Sequence, residues 1–347
     1  VFANIFWILA CILFILIRFL AYGEDQGDVI VNPRLEVPIT EWLHYGVMAG
    51  VILGIFYATI EFFFNKFLSK SFFLGVTVLL KVVLYIFVLI FTLTFILSYI
   101  ELDMDIDLPI ERGWWIDNTI FWLCAAYFFI CSFIFLFIKI ANEKFGRGIL
   151  FNMLIGKYRQ PTEEERVFMF LDLKSSTSIA EKLGHYKYSQ LLQDCFFDLN
   201  RVVNRYDGSI YQYVGDEAVI TWPIHKATKN NNCVAIYFAF MKIIEKRSKY
   251  YTKHYDLVPF FKAGLHGGKL IITEVGTVKK ELAFHGDVIN TASRIQDLCN
   301  KYNAALLVSQ SLLNQLKFRR KFNSESKGTI SLKGKEETVN ISEITNL

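Results

Sequence analysis

The sequence predicts a chain of two unlike parts: an α-helical transmembrane region of four helices, followed by an α+β domain built on one sheet. Three observations carry that expectation. Long apolar runs crowd into the first 140 residues. From Val167 onward, short aliphatic and aromatic runs alternate with segments of helical spacing. Between them, residues 141–166 are punctuated by Gly146, Gly148, Gly156 and Pro161, the composition of a connector with a short helix and a turn.

Four stretches, 3–21, 42–64, 72–98 and 118–140, come close to the ~20 apolar residues a helix needs to cross hydrocarbon. The first is longer than the ~7–15 apolar residues of a signal-peptide core, and no small-x-small cleavage site follows it, so it reads as a span. Basic residues orient the bundle. Lys66 and Lys70 lie in one short loop, and Lys139, Lys144, Arg147, Lys157 and Arg159 follow the last span. The two remaining loops are acidic, with Arg34 and Arg112 as single arginines. Positive charge stays inside, which predicts a multi-pass protein of the cell inner (plasma) membrane with its N-terminus and C-terminal domain in the cytoplasm. Arg18 fits this less well and reads as snorkelling to the interface. Trp114, Trp115 and Trp122 read as an interfacial belt. Glu61 and Lys81 fall toward the same end of a helical hairpin, where each could snorkel or the two could pair.

Charge and cysteine usage narrow the function classes. The net charge of +4 is small and dispersed, with no basic tract interleaved with aromatics, which excludes nucleic acid as a partner. Cys11, Cys124, Cys131, Cys195, Cys233 and Cys299 show neither CxxC nor zinc spacing and read as small apolar fillers.

The domain from 167 to 347 opens with a buried strand, VFMFL, that ends in Asp172 and runs into Ser175, Ser176 and Thr177 at a helix start. Helical spacing covers 176–183 and 188–206. A hairpin over 209–222 turns at Gly215-Asp216. A long helix is expected near 232–250, then a second hairpin in PFFKAGLHGGKLIITEVG, a helix over 288–302, a short strand over 305–309 and a terminal hairpin in TISLKGKEETVNISEI. Asp172 and Asp216 thus sit at strand ends. Two such carboxylates repel unless a cation lies between them, and hard oxygen pairs suit the magnesium or manganese that carries a nucleoside triphosphate. Taken singly, each residue has an ordinary role: Asp172 as a helix N-cap, Gly215-Asp216 as turn chemistry, Arg294 as a helix-surface charge. Their concurrence carries the argument.

Four motifs, FLDLKSST, VGDE, HGDVINTASR at 285–294 and LKGK at 332–335, resemble those of the class III nucleotidyl cyclases, over most of residues 145–347. The resemblance implies a ferredoxin-like core sheet with flanking helices. It implies that Asp172 and Asp216, with Leu173 in the same metal set, hold two Mg²⁺ or Mn²⁺ ions per active site. Asn290 and Arg294 become the catalytic residues that act on ribose and phosphate, Lys333 rather than Lys335 the holder of the terminal phosphates, and Ser175, Ser176 and Thr177 the phosphate cradle. Gln212 and Ala283 fall at the base-reading positions, and neither repeats the common adenine or guanine pairing. Since one catalytic domain carries both residue sets, the resemblance further implies a homodimer with two equivalent sites. The expected activity is that of a membrane-anchored adenylyl cyclase making cyclic AMP and pyrophosphate from ATP. A guanylyl cyclase, or a silent nucleotide-regulated dimerisation module of a membrane receptor, are the alternatives. A ligand or protein sensed by the membrane region stays open.

Overall fold

The computed structural model describes residues 2–22, 38–64, 74–104, 116, 119–145, 149–278, 281–318, 321–331 and 338–347. The chain divides into two compact units, Val1–Ala141 and Asn142–Leu347. Lys66, Lys70, Arg34, Arg112, Arg147, Trp114, Trp115, Lys333 and Lys335 lie outside the described residues.

The first unit consists of helices α1 (Phe2–Tyr22), α2 (Ile39–Phe63), α3 (Leu74–Met104) and α4 (Thr119–Phe145). All four are long and apolar enough to cross a membrane. Apolar surface gives no driving force for association where the solvent is itself apolar, so close backbone approach has to supply it. Gly50 and Gly54 of α2 provide that approach: a Cβ added at either would lie 2.6 Å from the Cα of Ile8 or of Asn4 on α1. Aromatic packing fills the centre, with the Trp7 and Tyr57 rings 4.3 Å apart and Tyr57 stacked on Tyr85 at 3.9 Å.

Glu61 and Lys81 do pair. Lys81 Nζ donates to Glu61 Oε1 at 2.9 Å, Tyr85 OH donates to the same oxygen at 2.7 Å, and Lys139 Nζ reaches Oε2. Glu61 and Lys81 are 8% and 6% exposed, too buried for snorkelling. A desolvated carboxylate has to find partners nearby, and here they come from two other helices, so the cluster ties α2, α3 and α4 together.

The second unit begins with α5 (Ile149–Leu154) and a turn, then β1 (Thr162–Leu173) and α6 (Ser176–Val203). There follow β2 (Ser209–Val214), β3 (Glu217–Pro223), α7 (Ile224–Thr228), α8 (Asn232–Lys246), α9 (Ser248–Tyr255), β4 (Phe261–Val275) and β5 (Glu281–His285). The chain closes with α10 (Asp287–Lys301), β6 (Leu306–Ser309), α11 (Gln310–Leu313), β7 (Phe322–Ser331) and β8 (Thr338–Asn346). The strands form one eight-stranded sheet in the order β2-β3-β1-β4-β6-β8-β7, with β5 on β4. β4 and β6 run parallel, and the other neighbours are antiparallel.

Strand alternation sets the two faces. Val167, Met169, Leu171 and Leu173 enter the core that α6 and α8 close, through Leu191, Leu199 and Phe240. Phe168 and Phe170 enter the other face with Leu270, Ile272, Val288 and Ala292. Asp172 belongs by parity to this second face, the one α10 covers.

Three expectations need correction. PFFKAGLHGGKLIITEVG is not a hairpin: β4 runs straight through Gly267 and Gly268 and turns back only after Val275, into β5. Its glycines serve close packing instead. A Cβ on Gly264 would lie 2.3 Å from the backbone nitrogen of Gln296 in α10. Glu163–Glu165, which fall within the connector read over 141–166, belong instead to the first half of β1, in register with Ile271, Leu270 and Lys269 of β4. The helix expected over 232–250 breaks at Arg247, whose guanidinium pairs with buried Asp198 of α6 at 2.5 Å and lies 4.2 Å above Tyr250. By contrast, α6 contains the expected break: Gly184, at φ +73, separates its two helical stretches.

Gly264→Ala should destabilise the second unit by about 1–3 kcal/mol or more through overpacking of α10 on β4, read as a lowered Tm. For the charge cluster, Glu61→Gln and Lys81→Met should each destabilise the detergent-solubilised chain. The double variant should differ from the sum of the two by roughly 0.5–3 kcal/mol; strict additivity in thermal unfolding would mean the pair is not coupled.

Candidate active site

The strand ends of β1 and β3 build the first half of the site. Asp172 is the penultimate residue of β1 and pairs across the ladder with Glu217 on one side and Lys262 on the other. Asp216 sits in the turn between β2 and β3, next to Gly215 at φ +60, a backbone state that glycine adopts without strain. The two carboxylates meet. Burial raises the Asp172 carboxyl above its ordinary range, and the Asp216 charge and the hydrogen bond that protonated Asp172 donates to Asp216 raise it further, against the lowering influence of Lys262. Glu217 is pushed up to about 7, by burial first and then by Asp172, Asp297 and Asp216.

That repulsion is the test of whether a divalent cation fits. A half-buried carboxylate whose proton affinity is raised by a second carboxylate beside it marks a hard-oxygen pair short of positive charge, which a divalent ion would relieve. Among the described residues no group of three or more His, Cys, Asp or Glu side chains is placed to hold a metal. Two carboxylates with further oxygens from a phosphate ligand is the pattern magnesium favours over an all-protein cage. The Leu173 side chain is buried in the core, so only its backbone carbonyl is available to an ion.

Next to the carboxylates the chain turns sharply from strand to helix. Ser175 adopts a left-handed conformation, φ 59 and ψ 34, and caps α6 without a side-chain hydrogen bond. Its carbonyl accepts from Ile179 N at 3.0 Å. The N–H groups of Ser176 and Thr177, in the first turn of α6, have no carbonyl within the helix, which is where an anion binds.

Asn290 and Arg294 lie one turn apart on α10, with Asn290 exposed and Arg294 half-buried. Neither makes a hydrogen bond or ion pair among the described residues, and neither reaches Asp172 or Asp216. Gln212 is exposed on β2 beside a bulge, and Ala283 pairs with Thr273 through β5. Their sequence neighbours Tyr211 and Phe284 touch, with centroids 4.9 Å apart, so the two segments adjoin.

The structure adds residues that the sequence reading missed. Lys262, 5% exposed, sets its Nζ 3.4 Å from Asp172 Oδ2 and donates to Asn300 Oδ1 at 3.0 Å. Gln296 Nε2 donates to the same Asp172 oxygen at 3.1 Å. Tyr188 feels the Asp216 and Asp172 charges and bonds Ser176, its hydroxyl raised chiefly by burial. One signal in the sequence was available: a lysine inside the apolar run PFFKAGL needs a buried partner. A separate cavity of about 590 Å³, lined by Lys157, Glu164, Arg166, Asp207 and His225 among others, opens at the opposite end of β1.

Because both Asp172 and Glu217 are raised, the folded state binds protons more tightly than the unfolded one. The stability these groups supply is present below about pH 4 and is lost as pH rises through their folded-state values. Asp216→Asn, tested in the presence of a chelator, should therefore raise Tm at pH 8. Allowing for solvent screening, the rise is on the order of 2–4 °C, and it should vanish near pH 4. An equal or lower Tm at pH 8 would mean that the carboxylates do not repel.

Comparison with known proteins identifies the domain that carries these residues. The model of the adenylate and guanylate cyclase catalytic domain matches residues 158–342. Adenylate cyclase 2 of Rhizobium meliloti (strain 1021) is 36% identical over 210 residues, 60% of this chain and 58% of that protein. Retinal guanylyl cyclase 1 of Rattus norvegicus is 24% identical over 174 residues, 50% of this chain and 16% of that protein. The chain therefore spans well under two thirds of the length of these relatives. A solved bacterial light-regulated adenylyl cyclase superposes with a TM-score of 0.51 at 18% identity, covering 62% of this chain and 64% of that one, a likeness of fold. With more than half of its residues matched in this way, the chain belongs to the adenylate and guanylate cyclase catalytic domain family.

Proposed function

We propose that the protein is a membrane-anchored adenylyl cyclase that converts ATP to 3′,5′-cyclic AMP and pyrophosphate, at sites shared between two copies of the chain. One observation carries the reading. Within one chain Asp172 and Asp216 come together, while Asn290 and Arg294 stand on the outward face of α10 with no partner among the described residues. A guanidinium and an amide kept out of the protein's own hydrogen-bonding network are available to a ligand and to a second chain. The four apolar helices support anchoring in the bilayer, and the basic residues Lys139, Lys144, Arg147, Lys157 and Arg159 at and after the end of the last of them support a cytoplasmic second unit.

Asp172 and Asp216, with the Leu173 carbonyl, would hold two Mg²⁺ or Mn²⁺ ions. Bound there, the ions would lower the pKa of the attacking ribose 3′-hydroxyl and neutralise triphosphate charge. The chain supplies the rest. The N–H groups following Ser175 receive phosphate oxygens at the start of α6. Arg294 from the other copy meets the negative charge that grows on the α-phosphate and the leaving pyrophosphate, and Asn290 orients the ribose. Lys333, with Lys335 as the alternative, would take the terminal phosphates. Gln212 can donate to adenine N1 or accept from guanine N1, so it discriminates little by itself beside Ala283. The identity shared with a bacterial adenylate cyclase favours ATP, and guanylyl cyclases among the relatives keep cyclic GMP as the second reading.

Turnover of ATP and GTP, measured side by side on the full-length chain with Mg²⁺ and then Mn²⁺, should yield cyclic AMP. Cyclic GMP alone would transfer the reading to guanylyl cyclase, and no product with either metal would favour a silent module. Asp172→Ala and Arg294→Ala should each abolish turnover while leaving the fold intact. Co-expressed, they should restore about a quarter of wild-type activity, because half of randomly paired dimers are mixed and each mixed dimer holds one complete site. Failure of the mixture to recover activity would rule out a site shared between chains.

A further inference from the structure

We propose that Gln296 is a positioning residue for the metal-holding carboxylate: its side-chain amide fixes Oδ2 of Asp172 and leaves Oδ1 for a cation shared with Asp216. The inference rests on the reading of Asp172 as a metal ligand and adds a residue to it.

The inward face of α10 is made of Val288, Thr291, Ala292, Ile295 and Cys299 beside Gln296, and the Thr291 hydroxyl is satisfied within the helix by donating to Asp287 Oδ2 at 2.8 Å. Gln296 is 4% exposed on that face. Methionine would fill the same space without burying an amide, so the polar group needs a reason. Its Nε2 donates to Asp172 Oδ2 at 3.1 Å. The second donor to the same oxygen, Lys262 Nζ at 3.4 Å, is itself held by Asn300 Oδ1 at 3.0 Å, one turn further along the same helix. Both groups on Oδ2 are thus set by α10.

The helix is packed closely against the strand at this position. Gly264 lets the Gln296 backbone lie so close to β4 that an added Cβ would meet its nitrogen at 2.3 Å. A carboxylate held at one oxygen by a rigid helix presents the other in a fixed direction, and outer hydrogen-bond partners of this kind typically change metal affinity by about 10–100-fold. The same helix carries Asn290 and Arg294 on its outward face, so one rigid element orients groups on both of its sides.

The test measures binding of Mn²⁺ alone, without nucleotide, to the detergent-solubilised full chain by electron paramagnetic resonance. The variants are Gln296→Met, which keeps the volume and loses the donor, and Gln296→Asn, which keeps the amide and falls a methylene short. Asp172→Asn is measured alongside, and unfolding in chelator checks that each variant is folded. Both Gln296 variants should bind Mn²⁺ at least about tenfold more weakly. Their kcat at saturating Mn²⁺ should stay within about threefold of wild type, the split expected of a residue that acts through the metal. If Gln296→Met does not fold, Gln296→Asn decides. Unchanged Mn²⁺ binding in the folded Gln296 variants, with binding lost in Asp172→Asn, overturns the positioning role alone. Binding retained in Asp172→Asn overturns the metal reading of Asp172 and this inference with it.

Discussion

The close seating of α10 on β4 is the constraint from which the geometry of the site follows. Gly264 removes a Cβ that would hold the helix off the strand at Gln296, and Gly268 removes another that would crowd Val288. With the helix that near, Gln296 and, through Lys262, Asn300 can reach Asp172, and Val288 and Ala292 can pack on Phe168 and Phe170. The outward residues of the same helix are then presented to solvent at a set height above the sheet. A helix further from the strand would lose both sets of contacts together, because they share one rigid body.

Against this rigid frame the carboxylates are held in a state the apo protein does not favour. Burial and then the Asp216 charge raise the proton affinity of Asp172, and burial followed by the Asp172, Asp297 and Asp216 charges raises that of Glu217. Lys262 offsets part of that repulsion and does not remove it. Unrelieved like charge at a strand end weakens folding at neutral pH, and a site so arranged gains most from a divalent ion. The left-handed Ser175 belongs to the same pattern: a backbone strain at the strand-to-helix turn, three residues after Asp172.

The apolar unit solves a different problem with a related device. Its helices associate through glycine contacts and stacked aromatics, which are short-ranged and indifferent to charge. Glu61, Lys81, Tyr85 and Lys139 add a directional element. Two cations and a phenol converge on one carboxylate, so displacement of α2, α3 or α4 would leave a buried charge unmatched.

Local pattern alone determined much of this protein. The four apolar spans, the alternation of VFMFL, the Gly215-Asp216 turn and the break between the two helical stretches of α6 are all legible because length, period and turn chemistry act within a few residues. The positions of Asp172 and Asp216 were legible for the same reason, as acidic residues ending apolar strands. What the tertiary structure decided is which distant residues meet. Gly267 and Gly268 read as a turn and are instead packing sites, since a glycine's sequence neighbours do not reveal whether it faces a bend or a helix. Lys139 reads as an orienting charge and proves to be a ligand of Glu61, seventy-eight positions away. Gln296 looks like one more polar position on an amphipathic helix, and only the register of α10 against β1 and β4 shows its amide on Asp172. Sequence period reports which face of an element is apolar; the partner a polar group finds on that face depends on long-range packing, which no local period encodes.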